Sequence, residues 1–145
     1  YAVGLPFPIL SQERARSVIL TIYKELYSPL GLRSLSVNDP EFKVICTGSH
    51  FDRDMAYHQG TVWGFMIGQF LMGVLRQFPQ DKDLLRIVEQ FIEHNQDGLY
   101  EGCIGQLAEI YDGYSPSQSR GCFAQAWSVS EVLRVVKYYE EIHQK

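Results

Sequence analysis

The sequence predicts an all-α fold in two helical layers, with long rim loops that leave room for short β-strands. Two observations carry this expectation. Helical segments with one apolar stripe alternate with a segment that is apolar nearly all round, and a helix apolar on every side must be covered on every side. Two long segments without helical periodicity each precede an inner helix, which places both on one rim. Alternation of that kind is the pattern of an α/α barrel.

The first helix follows Pro6 and Pro8, with Ser11 as N-cap and Glu13 in the first turn, where the helix dipole favours an acid. Its apolar stripe is Ala15, Val18, Ile19, Ile22, Tyr23 and Leu26, at the spacing of an amphipathic helix, and Pro29 and Gly31 end it. A long connection runs from Leu30 to Gly60, with Phe42–Cys46 as its best strand candidate. The second helix spans Thr61 to Phe78, and Gly64 and Gly68 on one of its faces permit close approach of a neighbouring helix. The third opens at Asp81 and places Leu84, Leu85, Val88, Phe91 and Ile92 on one stripe, with Asn95 to Gly98 stopping it. After a second loop, Asp97 to Gly121, the fourth helix runs from Phe123 to Ile142. Its expected inner set is Ala126, Trp127, Val129, Leu133, Val136 and Tyr139.

Composition narrows the function. With 46% hydrophobic and 21% charged residues in 145, the chain fits one ordinary globular unit, residues 1–145. A net charge of −4 and the absence of adjacent Lys or Arg residues exclude the basic stripe of a nucleic-acid binder. The most apolar stretch, Val62 to Leu75, is shorter than the roughly 20 residues that cross a bilayer, so no membrane partner is expected. Tyr1 to Leu10 lacks the charged start of a signal peptide and reads as the interior of something longer. Cys46, Cys103 and Cys122 form no C-x-x-C pair, which fits reduced thiols in a cytoplasmic protein. A zinc site of Cys46, His50 and His58 matches no closed-site spacing.

The loops hold the chemistry. Tyr57-His58-Gln59-Gly60-Thr61-Val62-Trp63 gathers the aromatic rings, imidazole and amide that a sugar site needs, since flat rings cover pyranose C–H faces and polar forks bind hydroxyls. The same residues also fit a plain helix start with a buried Trp. The second loop carries Glu101, Glu109 and Asp112, then Cys122-Phe123-Ala124-Gln125-Ala126-Trp127-Ser128. Glu109 follows an uncharged run and suits an acid or base, or equally an ordinary paired acid. Asp112, beside Gly113, reads as a turn residue.

Tyr57–Trp63 is similar to the Y-H-Q-G-T-V-W-P-W signature of glycogen debranching enzymes of the amylo-α-1,6-glucosidase type. Gly102-Cys103-Ile104-Gly105, Ala108-Glu109-Ile110-Tyr111-Asp112-Gly113 and Arg120-Gly121-Cys122-Phe123-Ala124-Gln125-Ala126-Trp127-Ser128-Val129 follow in the family's order. Upstream, Gly31–Ser36 and Asp39-Pro40 also resemble it. The resemblance implies a partial (α/α)6 toroid, its closing portion, acting on α-1,6 branch glucosyl residues of an α-glucan such as glycogen or limit dextrin. It assigns Glu109 as general base, with Tyr57, His58, Gln59, Trp63, Gln125 and Trp127 lining or supporting the sugar pocket. Arg33 either joins them or pairs with an acid.

The family's general acid lies earlier in its barrel and no segment here matches that part. Activity is therefore expected to need the remaining N-terminal part of the domain, or self-association, as a partner. No cofactor and no metal is implied. One departure stands out: Gly64-Phe65 replaces the family's Pro-Trp, which loosens the helix entrance by about 0.5–1 kcal/mol relative to Ala. The alternative is a non-catalytic glycan-binding or structural helical module.

Overall fold

The computed structural model describes residues 1–100 and 102–143. Its helices are α1 (Gln12–Leu26), α2 (His50–Tyr57), α3 (Met66–Gln77), α4 (Lys82–Gly98) and α5 (Ala126–His143). Between them lie β1 (Tyr27–Ser28), β2 (Gly31–Arg33), β3 (Val62–Trp63), β4 (Ile110–Tyr111) and β5 (Ser119–Arg120). The fold is mostly helical with a small antiparallel sheet. No helix among the described residues is long and apolar enough to cross a membrane.

α3 is the centre of the molecule. Ile67, Phe70, Leu71, Met72, Val74 and Leu75 are all buried, which leaves this helix no solvent face. α1, α4 and α5 pack around it. Each covering helix contributes a stripe: Ala15 and Ile19 from α1, Leu84, Leu85, Val88 and Phe91 from α4, and Val135 from α5. Full burial of a side chain of this size stabilises by about 1.5–3 kcal/mol, so this cluster is the main source of stability. Gly64 and Gly68 face α5 as expected. A Cβ at Gly64 would lie 2.8 Å from Ser128 Oγ, and one at Gly68 would lie 2.7 Å from Glu131 Cβ.

The helix ends follow local chemistry. Ser11 Oγ accepts from Arg14 N, and α1 stops where Tyr27 turns into β1. Asp81 starts α4 by accepting from the backbone N–H groups of Asp83 and Leu84, and it also pairs with Arg16 of α1.

Four expectations need correction. The second predicted helix begins at Met66 rather than Thr61, because Val62 and Trp63 pair as β3 with strands on both sides. The Leu30–Gly60 connection contains α2, set by a capping box in which Ser49 and Asp52 exchange hydrogen bonds. Phe42–Cys46 forms no strand: Lys43 N donates to Gln59 O, and Val44 O accepts from Gly113 N, as single bonds without a ladder. The last helix begins at Ala126 and its inner face is turned from the predicted set. Ser128 and Val135 are buried, whereas Trp127 is 42% and Leu133 51% exposed.

The sheet joins the two rim loops. Its order is β1-β2-β3-β4-β5, all antiparallel, with Trp63 paired to Leu32 on one side and Ile110 on the other. Tyr111 pairs with Ser119 across the β4–β5 hairpin. Asp112 holds that hairpin with a two-point contact to Arg120, Oδ1 to Nε at 2.9 Å and Oδ2 to Nη2 at 3.1 Å. That is the turn role its neighbour Gly113 predicts.

Candidate active site

The sheet register brings together motifs far apart in sequence. Tyr57 ends α2, Trp63 lies on β3, Glu109 immediately precedes β4, and Trp127 lies in the first turn of α5. The Tyr57 hydroxyl donates to Glu109 Oε1 at 2.5 Å across 52 positions. Burial, reinforced by this hydrogen bond to the carboxylate, holds the Tyr57 phenol well above its usual range. It therefore stays a donor throughout the neutral range.

The other carboxylate oxygen is held by the chain that follows β5. Glu109 Oε2 accepts from Cys122 N at 3.0 Å, while Glu109 N donates back to Cys122 O at 2.9 Å. Gly121 makes this possible. Its φ of +66° is one that a side chain disfavours, and a Cβ there would fall 2.4 Å from Glu109 Oε2. Glu109 is half-buried, so part of it is accessible to solvent. A carboxylate fixed at both oxygens in this way can accept a proton at a defined place.

Around Tyr57 the aromatic side chains form a cluster. Tyr57 meets Trp63 edge-on at 4.7 Å and His58 at 4.8 Å. His58 stacks on Trp63 at 5.1 Å with 7° between the planes. The Trp63 indole N–H is shared between Thr61 Oγ1 at 3.0 Å and Tyr57 O at 3.2 Å, so this ring is locked. Buried and covered by His58, Trp63 supports the cluster, whereas Trp127 presents its ring to solvent.

The other predicted residues sit differently. Gln125 N donates to Leu107 O at 2.8 Å, tying the start of α5 to the Glu109 loop. Gln59 contributes backbone: its N–H donates to Ala56 O at 3.0 Å, and its carbonyl accepts from Lys43 N. Arg33 pairs with no acid among the described residues, and it lines one cavity together with His58. Its Nε donates to Gly113 O at 2.8 Å and its Nη1 to Tyr27 O at 2.5 Å, bracing the sheet from behind. Glu101 lies outside the described residues.

Three contributors carry no signal of their own in residue type. Cys122 acts through its backbone N–H and Gly121 through a missing Cβ. Phe65 is a helix-entrance residue that stacks on Trp127 at 4.2 Å and 17°. Among the described residues no three His, Cys, Asp or Glu side chains gather as a metal site would require.

A search of curated proteins found no match to the chain. The family model described as amylo-alpha-1,6-glucosidase matches residues 1–134, a span that takes in every motif brought together at this site. The chain therefore belongs to the amylo-alpha-1,6-glucosidase family, as a C-terminal-type domain of glycogen debranching enzymes.

Proposed function

We propose that this chain supplies the general base and a sugar-lining rim for hydrolysis of α-1,6-linked glucosyl stubs on an α-glucan. The observation that supports this most is the Tyr57–Glu109 hydrogen bond, because it joins two separate family motifs at one carboxylate. Tyr57 and the Cys122 N–H each take one lone pair and orient the group. A water at its accessible part gives a proton to Glu109 as its oxygen attacks the anomeric carbon, and the C1–O6 bond breaks with its electrons leaving on oxygen. That leaving oxygen needs a proton from a second carboxyl group, about 6.5–9.5 Å away in an inverting site.

Asp112, the nearest acid in sequence, is bound to Arg120 and is a poor candidate for that role. We place the acid in the rest of the catalytic domain, to which residues 1–145 add the closing portion of an (α/α)6 toroid as one unit. The chain alone is then inactive on glucan. Free thiols at Cys46, Cys103 and Cys122 suit a reducing, cytoplasmic setting.

The test uses two substrates. α-D-Glucosyl fluoride has a leaving group that departs without a strong acid, so base and pocket suffice. The chain should release fluoride and β-glucose from it, and Glu109→Gln should lose this by about a hundredfold or more, the range of general acid–base assistance being about 10²–10⁴-fold. A branched limit dextrin should yield no glucose from either protein. Fluoride release that survives Glu109→Gln would reject Glu109 as the base.

A further inference from the structure

A cavity of about 780 Å³ lies across the sheet from the aromatic cluster. Successive strand residues point to opposite faces. Trp63 and Ile110 pack on the side of Tyr57, whereas Val62 and Tyr111 pack with Leu30 on the other, and Leu30 and Tyr111 line this cavity. None of Tyr57, Trp63, Glu109 and Trp127 does. The proposed glucosidase chemistry therefore makes no use of it.

Its wall offers hydrogen-bond donors that the described residues leave uncommitted. Arg33 lines it, and the carbonyls of Gly113 and Tyr27 take two of the five guanidinium donors, which leaves three. Ser28 is 4% exposed, and its hydroxyl accepts from Leu30 N at 3.4 Å while its own proton goes to no partner among the described residues. Tyr111 is 8% exposed, and its hydroxyl likewise accepts, from Ala108 N at 3.0 Å. Burial keeps that phenol above its usual range, so it remains a donor. Burial also works against the charged form of Arg33, and among the described residues no acidic side chain lines the cavity. Buried donors and buried charge are ordinarily matched by acceptors. Donors from β1, β2 and β4 around one acid-free space therefore suit an anion.

The donor count narrows the anion. Three donors from Arg33 and two hydroxyls exceed the roughly four lone-pair sites of a carboxylate and suit the three oxygens of a phosphate monoester. Size narrows the rest of the ligand. Sites for organic ligands run about 300–1,000 Å³, so this cavity has room for a body beyond the phosphate. The remaining wall includes Gln106, Gln118 and Ser119, neutral polar side chains that suit hydroxyls. We infer that this cavity binds a sugar phosphate, with the phosphate on Arg33, Ser28 and Tyr111 and the sugar hydroxyls along Gln106, Gln118 and Ser119. The inference stands apart from the glucosidase reading, since no residue of that chemistry enters it.

Phosphorus NMR of the ligand tests it. Glucose 6-phosphate titrated with the full chain should show a saturable change in its phosphorus signal. Inorganic phosphate should bind about tenfold or more weaker, because it lacks the hydroxyl contacts. D-Glucuronate, which carries a carboxylate on the same kind of ring, should displace glucose 6-phosphate only at about tenfold or more higher concentration. Ser28→Ala and Tyr111→Phe each remove one donor to the phosphate, and each should weaken binding by about tenfold. Two such variants keep the test sound if one fails to fold. Trp127→Ala, across the sheet, should bind as the wild type does. No saturable change in the wild type overturns the inference, as does wild-type affinity in folded Ser28→Ala and Tyr111→Phe. Loss of binding in a folded Trp127→Ala would move the ligand to the aromatic cluster and overturn it too. Inorganic phosphate or glucuronate matching glucose 6-phosphate would reject a sugar phosphate as the ligand class. None of these outcomes touches Glu109, so the base is judged separately by fluoride release.

Discussion

α3 and the rim loops are built on opposite principles. α3 is held by many interchangeable apolar contacts with three helices, and no single one of them sets its position. The rim is held by a few contacts that each depend on one atom: the Tyr57 hydroxyl, the Cys122 N–H, the Thr61 hydroxyl and the missing Cβ of Gly121. Strands of two or three residues cannot stand alone in water, so the sheet persists because the helical core fixes both ends of its loops. The difference separates stability from function. Damage to the core should unfold the molecule, and damage to the rim should disable it while leaving it folded.

The largest effect expected is in the core. Phe91→Ala removes a fully buried ring and should cost about 3–5 kcal/mol, read from urea unfolding. A cost below 1 kcal/mol would mean that α4 does not close the core as described. Next is Gly121→Ala in the rim. Forcing a side chain into the left-handed region costs about 1–2 kcal/mol, and the added Cβ collides with Glu109. Fluoride release from glucosyl fluoride should fall by far more than that small loss of stability would explain. If activity and stability fell together, core and rim would not be separable.

The smallest effect is electrostatic. The hydrogen bond from Arg16, with help from the Leu84 and Asp83 N–H groups, holds the Asp81 carboxyl below its ordinary value. A carboxyl lowered on folding adds stability that is complete above its unfolded pKa, about 3.9, and is lost as the pH falls through the lower folded value. Asp81→Asn should therefore flatten the fall of stability with acid below about pH 4 and leave the Glu109 site unaffected. A profile as steep as the wild type's would remove the Asp81 link from the account of α1 and α4.

The same contrast decides what was legible in the sequence. α1, α3 and α4 were readable because burial imposes a period, and the Gly64–Gly68 pair correctly marked the face that meets α5. The inner face of α5 was not: Ser128 is buried against Gly64, a close approach that hydrophobicity cannot signal, and its register turns Leu133 outward. α2 was missed although Ser49 and Asp52 spell a capping box, because the surrounding Gly and Pro residues dominated that stretch. The pairing of Val62–Trp63 with strands on both sides depends on residues more than twenty positions away in either direction, which no local period records. Glu109 and Tyr57 emerged through the order of family motifs, and their mutual contact through the sheet register. Arg33 has the right type for a sugar ligand, and backbone carbonyls of Tyr27 and Gly113 take two of its five donors, a tie that residue type does not record.

The central claim is that Tyr57 and Glu109 join the two rim loops into one site. A double-mutant cycle of Tyr57→Phe, Glu109→Ala and the pair, measured by equilibrium unfolding, isolates their interaction. Hydrogen bonds to a charged group contribute about 1.5–3 kcal/mol, and a coupling of that order is the predicted result. Additive effects, with a coupling within about 0.5 kcal/mol of zero, would show that the loops do not meet at this carboxylate.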